Sequence, residues 1–262
     1  MPRLLRSMLG SGLALAAFAQ AGCSLADDHR VGGKTVDEVF ANSKLVALSR
    51  SSCDGDLAGV SRAIKDGANP NGRGLRGSTP LFWAMSCHSV PGVESLLKAG
   101  ADPNYRISGE FSATYAAATF DDPTMLKLLL KYGGDPNSTS ELSHQSALWE
   151  ALTKGVDSGN WANWEVLLDA GADINGLRIA EDAAALNQYN RVVELLDRGY
   201  NCDLEHLGRI VETGEVNVPS AQFSRTRVVQ MLEEQGVRFP IAPGKGMPVS
   251  CGRHTRTQKN PP

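Results

Sequence analysis

The sequence predicts an all-α solenoid of about six helix-turn-helix units, and three observations carry that expectation. A helix-closing glycine recurs at positions 67, 100, 133, 171, 199 and 236, at intervals of 33, 33, 38, 28 and 37 residues. Three of these recurrences share nearly the same five residues: Gly67-Ala68-Asn69-Pro70-Asn71, Gly100-Ala101-Asp102-Pro103-Asn104 and Gly133-Gly134-Asp135-Pro136-Asn137. A fourth reads Gly171-Ala172-Asp173-Ile174-Asn175, and weaker copies sit at Gly199-Tyr200-Asn201 and Gly236-Val237-Arg238. Apolar residues between the glycines keep the same offsets from unit to unit. A near-fixed period of this length marks a repeat architecture, and degenerate ends are what terminal units facing water look like.

Thr35 and Glu38 have the spacing of a capping box, which predicts a helix opening there and running toward Arg50. The first unit, closed by Gly67, keeps Leu57, Val60, Ala63 and Ile64 at helical spacing. The second is the most complete, with Thr79-Pro80-Leu81-Phe82-Trp83-Ala84 and then Val93-Glu94-Ser95-Leu96-Leu97-Lys98-Ala99-Gly100. Thr79 is placed to cap a short helix, and Pro80 takes its first position, where a missing N–H costs nothing. Ala84 is small enough for two helices to approach, Leu96 and Leu97 face the adjoining unit, and Gly100 ends the second helix in the left-handed conformation. These residues resemble the ankyrin repeat, with its Thr-Pro-Leu-His-x-Ala segment, paired leucines and Gly-Ala-Asp-x-Asn turn. The resemblance covers roughly residues 45–239. It implies a solenoid with β-hairpin fingers, a fold that hosts binding far more often than chemistry.

In the third unit Ser112-Ala113-Thr114-Tyr115-Ala116-Ala117 replaces the capping segment, and Met125-Leu126-Lys127-Leu128-Leu129-Leu130 forms the second helix. The fourth has Ser146-Ala147-Leu148-Trp149-Glu150-Ala151 and Trp164-Glu165-Val166-Leu167-Leu168, separated by an insertion, residues 155–160, expected to form a loop. Phe82 and Trp149 take the motif's buried histidine position, and Leu128, Leu129, Leu167 and Leu168 are expected in the core. The fifth unit leaves only Gly176 and Leu177 before Arg178, which stands where the capping threonine belongs, so its finger must be stunted. The sixth pairs residues 204–213 with 225–235 across an expected insertion at 216–223.

The first residues form a separate object. Arg3 and Arg6 precede the apolar run Met8–Ala19, which is too short to span a bilayer, and Gln20-Ala21-Gly22-Cys23 follows as a small-residue processing site. This resembles a bacterial lipoprotein signal, which implies lipidation of Cys23; Gln20 departs from the usual leucine, and cleavage after Ala21 or near Ala26 of an ordinary secretory peptide is the alternative. Ser24 lacks the aspartate associated with inner-membrane retention, so the expected address is the periplasmic face of the outer membrane. The resulting organisation is a signal peptide over 1–22, a lipid-anchored tether over 23–34, the repeat domain over 35–239 and a disordered basic tail over 240–262.

Without Arg3 and Arg6 the chain carries 24 basic and 29 acidic residues, a net charge of −5. Such a balance is poorly suited to nucleic acid. Four cysteines remain after Cys23. Offsets from the closing glycines put Cys53 and Cys87 at the ends of the first helices of successive repeats. Disulfides Cys53–Cys87 and Cys202–Cys251 are one reading, and free thiols the other.

No histidine lies at metal-ligand spacing from Cys, His or carboxylate in the sequence, so no metal and no cofactor are expected. Gly32-Gly33-Lys34-Thr35 lacks the first glycine of a phosphate loop, no Gly-x-Ser-x-Gly elbow is present, and Asp122 reads as a helix cap beside Asp121. The chain is therefore expected to be no enzyme. What remains is a surface. The resemblance implies a partner site on the fingers and the exposed side of the first helices, and its offsets select Arg73, Leu75, Arg76, Trp83, Tyr105, Arg106, Ile107, Phe111, Phe120, Glu150 and Lys154. Aromatics and arginines there are the types enriched in interface hot spots, although packing against its own finger is an equal reading for Trp83. The expected protein is a monomeric, lipid-anchored periplasmic binder of another protein. Two forms are an immunity protein against a secreted antibacterial toxin, such as a type VI phospholipase, and a scaffold or oxidative-stress partner of a periplasmic enzyme.

Overall fold

The structure, a computed structural model, describes residues 29–216 and 219–241. The leader, Cys23, Cys251 and residues 242–262 of the tail lie outside the described residues. The chain divides into two compact units, 1–172 and 173–262.

In the first unit, α1 (Val36–Val39) opens on Thr35, whose backbone N–H donates to Glu38 Oε2 at 2.7 Å while Thr35 Oγ1 accepts from the Glu38 N–H at 3.3 Å. The expected long helix is instead two. Phe40 is extended, and Asn42 caps α2 (Ser43–Cys53) by accepting the N–H groups of Lys44 and Leu45. That break turns Phe40 inward, where it is 1% exposed and meets Trp83 edge-on at 6.0 Å. The described part of the expected tether is also folded: Val31 and Lys34 pair as an antiparallel bridge, and Val31 packs on the cluster of Val36, Val39, Phe40 and Trp83.

Three further helix pairs follow α2 and α3 (Leu57–Lys65): α4 (Pro80–Ser86) with α5 (Val90–Lys98), α6 (Ala113–Ala117) with α7 (Thr124–Lys131), and α8 (Ala147–Ser158) with α9 (Ala162–Asp169). The hydroxyls of Thr79, Ser112 and Ser146 each accept the N–H three residues on, so the same cap starts each first helix. Asp122 Oδ1 accepts the Thr124 N–H at 2.9 Å ahead of α7. Most of the insertion at 155–160 is helix rather than loop. It lengthens α8 to Ser158, because Gly155 lets the Trp161 ring lie where a Cβ would come within 2.4 Å of it. Leu96, Leu129 and Leu167 are fully buried between successive second helices, and Phe82 is buried, whereas Trp149 is only half-buried.

One finger is a true hairpin, with β1 (Arg106–Ile107) antiparallel to β2 (Phe111–Ser112) and Ile107 opposite Phe111. The preceding one is a single 3-10 turn over Leu75–Gly77, and the following one is held by one bridge, Thr139 to Ser146.

The second unit contains α10 (Ile179–Ala185) with α11 (Tyr189–Asp197) and α12 (Leu204–Thr213) with α13 (Pro219–Glu234). Leu177 and Arg178 take positive φ of 49° and 58° to turn straight into α10, and no side chain caps that helix. Most of the expected sixth-unit insertion is helical, since α13 begins at Pro219.

All six closing glycines have positive φ, between 81° and 95°. Beyond them runs a repeated joint. Asn71 Nδ2 donates to the Gly100 carbonyl and its Oδ1 accepts the Asp102 N–H, each at 2.8 Å. Asn104 does the same with Gly133 and Asp135, again at 2.8 Å. In the second unit Asn175 Oδ1 accepts the Asn201 N–H at 2.9 Å. Asn104→Ala removes both bonds of one joint and is expected to cost about 1–2 kcal/mol, read as a lower urea midpoint.

Cys53 and Cys87 are joined by a disulfide with their Cα atoms 5.4 Å apart. Helices α2 and α5 approach closely here because Gly92 has no side chain; a Cβ on it would come within 1.8 Å of the Ser52 carbonyl oxygen. Cys202 is disulfide-bonded as well, while Cys251 lies outside the described residues.

Candidate functional site

A cavity of 730 Å³ in the first unit opens between the fingers and the first helices. Its floor comes from α4 and α6, through Phe82, Trp83, Met85 and Ala116, and Phe120 just beyond α6 closes one end. Leu75 and Arg76 overhang it from the one-turn finger, and Ile107 and Phe111 from the hairpin. The opposite wall is the N-terminal segment, with Val31, Lys34 and Val39. That wall is not legible as part of the site, because its residues precede the repeats and carry no repeat offset; the i, i+3, i+4 spacing of Val36, Val39 and Phe40 is a local signal that the segment packs.

Six of the eleven expected partner residues therefore share one cavity: Leu75, Arg76, Trp83, Ile107, Phe111 and Phe120. Leu75 is the most available apolar one, at 47% exposed. Arg76 and Lys34 are exposed cations among its lining residues, which also include the half-buried Glu110. Phe111 is anchored between Phe82, at 5.9 Å, and Tyr115, at 6.2 Å, so it shapes the wall.

Trp83 needs correction. It is 1% exposed beneath Phe40, so it offers the cavity only an edge and belongs to the core. Arg106 is committed elsewhere: its Nη2 donates to the Glu110 and Thr139 carbonyls and pairs with Glu141 at 3.1 Å, tying the hairpin to the next finger. Arg73 stacks its guanidinium 4.6 Å from the Tyr105 ring centre, and neither lines the cavity. Lys154 pairs with Asp121 at 2.7 Å beside a smaller depression of 230 Å³ that also includes His88 and Phe120.

Glu150 is likewise internal, accepting the Tyr115 hydroxyl. Burial raises the Glu150 carboxyl above the usual carboxylate value, and the hydrogen bond from Tyr115 only partly opposes this; burial and the neighbouring carboxylate push the Tyr115 phenol upward too. The folded state thus holds the Glu150 proton more tightly than the unfolded chain, so its contribution to stability is full below the unfolded pKa and is lost as pH rises through the folded one. Glu150→Gln is expected to be more stable than wild type at neutral pH, with the advantage vanishing below about pH 4. Urea denaturation at both pH values checks this.

The cavity offers apolar walls and a cationic rim, suited to an inserted apolar side chain with acidic neighbours. Ser86, the hydroxyl beside His88, donates to the Phe82 carbonyl at 2.9 Å. At the C-terminal end of α2, the fold brings ligand atoms of His29, Cys53 and Cys87 within 4.8 Å of one another, a grouping that sequence spacing hides. No helix among the described residues is long and apolar enough to cross a membrane.

The family model of the ankyrin repeat matches residues 76–107. Among solved structures, the chain is similar to the crystal structure of the human ASB11 ankyrin repeat domain, at 19% identity and a TM-score of 0.50, covering 77% of this chain and 88% of that one. No curated protein matches. The fold is thus an ankyrin-repeat fold, a module whose general work is protein–protein interaction and which is typically non-catalytic.

Proposed function

We propose that this chain is a non-catalytic, lipid-anchored periplasmic protein that binds and modulates a partner protein through the groove of its first unit. The observation that carries the reading is the open 730 Å³ cavity between fingers and helices, with exposed Leu75 and Arg76 at its edge. Support for the address comes from the leader-like start ending in Cys23, and an immunity protein against a secreted toxin is the concrete form that fits an anchored binder on that side of the membrane. Disulfides at Cys53 and Cys202, of a kind that persists in oxidising compartments, agree with that address.

The test is affinity capture from envelope extract with the mature wild type and with Leu75→Asp/Arg76→Glu. Both side chains are exposed, so the melting temperature should stay within a degree or two. Loss of a groove anchor should weaken capture about 30-fold or more. Undiminished capture by the double variant would remove the groove from the proposal.

A further inference from the structure

The geometry points to a second, redox-gated site: in their dithiol form Cys53 and Cys87, together with His29, bind a single zinc ion. The three ligand atoms already lie within 4.8 Å of one another. They come from three separate places, the N-terminal segment, the last residue of α2 and the residue that ends α4. Cys53 is buried, while Cys87 and His29 are half-buried, so the cluster has one open side by which an ion could enter.

Two thiolates and an imidazole are the donor set that suits zinc. Zn–S bonds of about 2.3 Å in a tetrahedral site place the two sulfurs about 3.8 Å apart. The cysteine Cα atoms, 5.4 Å apart, allow that separation through side-chain rotation alone. His29 also has the companion that metal-bound imidazoles usually have: its Nε2 lies 3.2 Å from Asp54 Oδ1. A disulfide with a purely structural role requires neither the imidazole nor the carboxylate.

The chemistry balances in two steps. A dithiol reductant transfers two electrons and two protons to the Cys53–Cys87 bond, giving two thiols and becoming a disulfide itself. Zn²⁺ then displaces the two thiol protons, and His29 donates a ring-nitrogen lone pair. His29 coordinates through Nδ1 while Asp54 holds its Nε2, and the fourth position is left to water. Oxidation reverses the sequence and expels the ion, so disulfide and zinc are alternative clasps between the two repeats, and only zinc also holds the N-terminal segment through His29. This inference does not depend on the groove.

The experiment uses the mature chain, reduced with a phosphine under anaerobic conditions, and titrates Zn²⁺ against a chromophoric chelator. Reduced wild type is expected to take up one zinc ion more than the Cys53→Ser/Cys87→Ser variant, which keeps every other cysteine. His29→Ala should weaken that uptake at least tenfold. Zinc should also raise the melting temperature of the reduced wild type and not that of reduced His29→Ala. Equal zinc uptake by wild type and the double cysteine variant would overturn the proposal. So would unchanged affinity in His29→Ala, or a reduced chain that is unfolded and stays so when zinc is added.

Discussion

Trp83→Ala is expected to destabilise the chain by about 3–5 kcal/mol, the cost of deleting a large buried aromatic. The ring is 1% exposed and sits under Phe40, so its removal leaves a cavity between the N-terminal segment and α4 and frees that segment from its seat. Thermal unfolding should show a drop of many degrees, and proteolysis should begin near residues 29–42. Trp83→Phe, which keeps an apolar ring against Phe40, should recover part of the loss. A Trp83→Ala variant that melts like wild type but fails to capture a partner would show the opposite, that this side chain serves the surface.

Breaking the Cys53–Cys87 link by Cys53→Ala/Cys87→Ala is the second large effect. The bond closes a loop across a sequence separation of 34 residues. Loop-closure entropy assigns such a constraint about 4 kcal/mol. Urea denaturation under non-reducing conditions checks it. A loss much smaller than this would mean that Gly92, which already seats α5 against the end of α2, aligns the two repeats without covalent help.

The repeat frame was legible because its determinants are local. Thr79, Ser112 and Ser146 cap by accepting an N–H three residues away, and the closing glycines answer a backbone need that few other residues meet. The errors fell where distant chain decides. Nothing near Trp83 announces that Phe40 will cover it, so a first-helix position that is usually exposed is buried here. Arg106 has the chemistry of a hot spot, but the carbonyls of Glu110 in its own hairpin and of Thr139 in the adjoining finger use its donors first. The lengthening of α8 depends on an indole six residues beyond Gly155 filling the space above it. Cation ligands 24 and 34 residues apart, at positions 29, 53 and 87, obey no spacing rule, because the repeat stack and the returning N-terminal segment bring them together.

The asparagine joint makes the repeats interchangeable parts. Asn71 grips Gly100 and Asp102 with the bonds and lengths that Asn104 uses for Gly133 and Asp135. A genetic event that duplicated or excised one 33-residue cassette would therefore meet a matching coupling on both sides, whatever the fingers carried. Groove chemistry can thus diversify from one cassette to the next, while the joint itself stays the same.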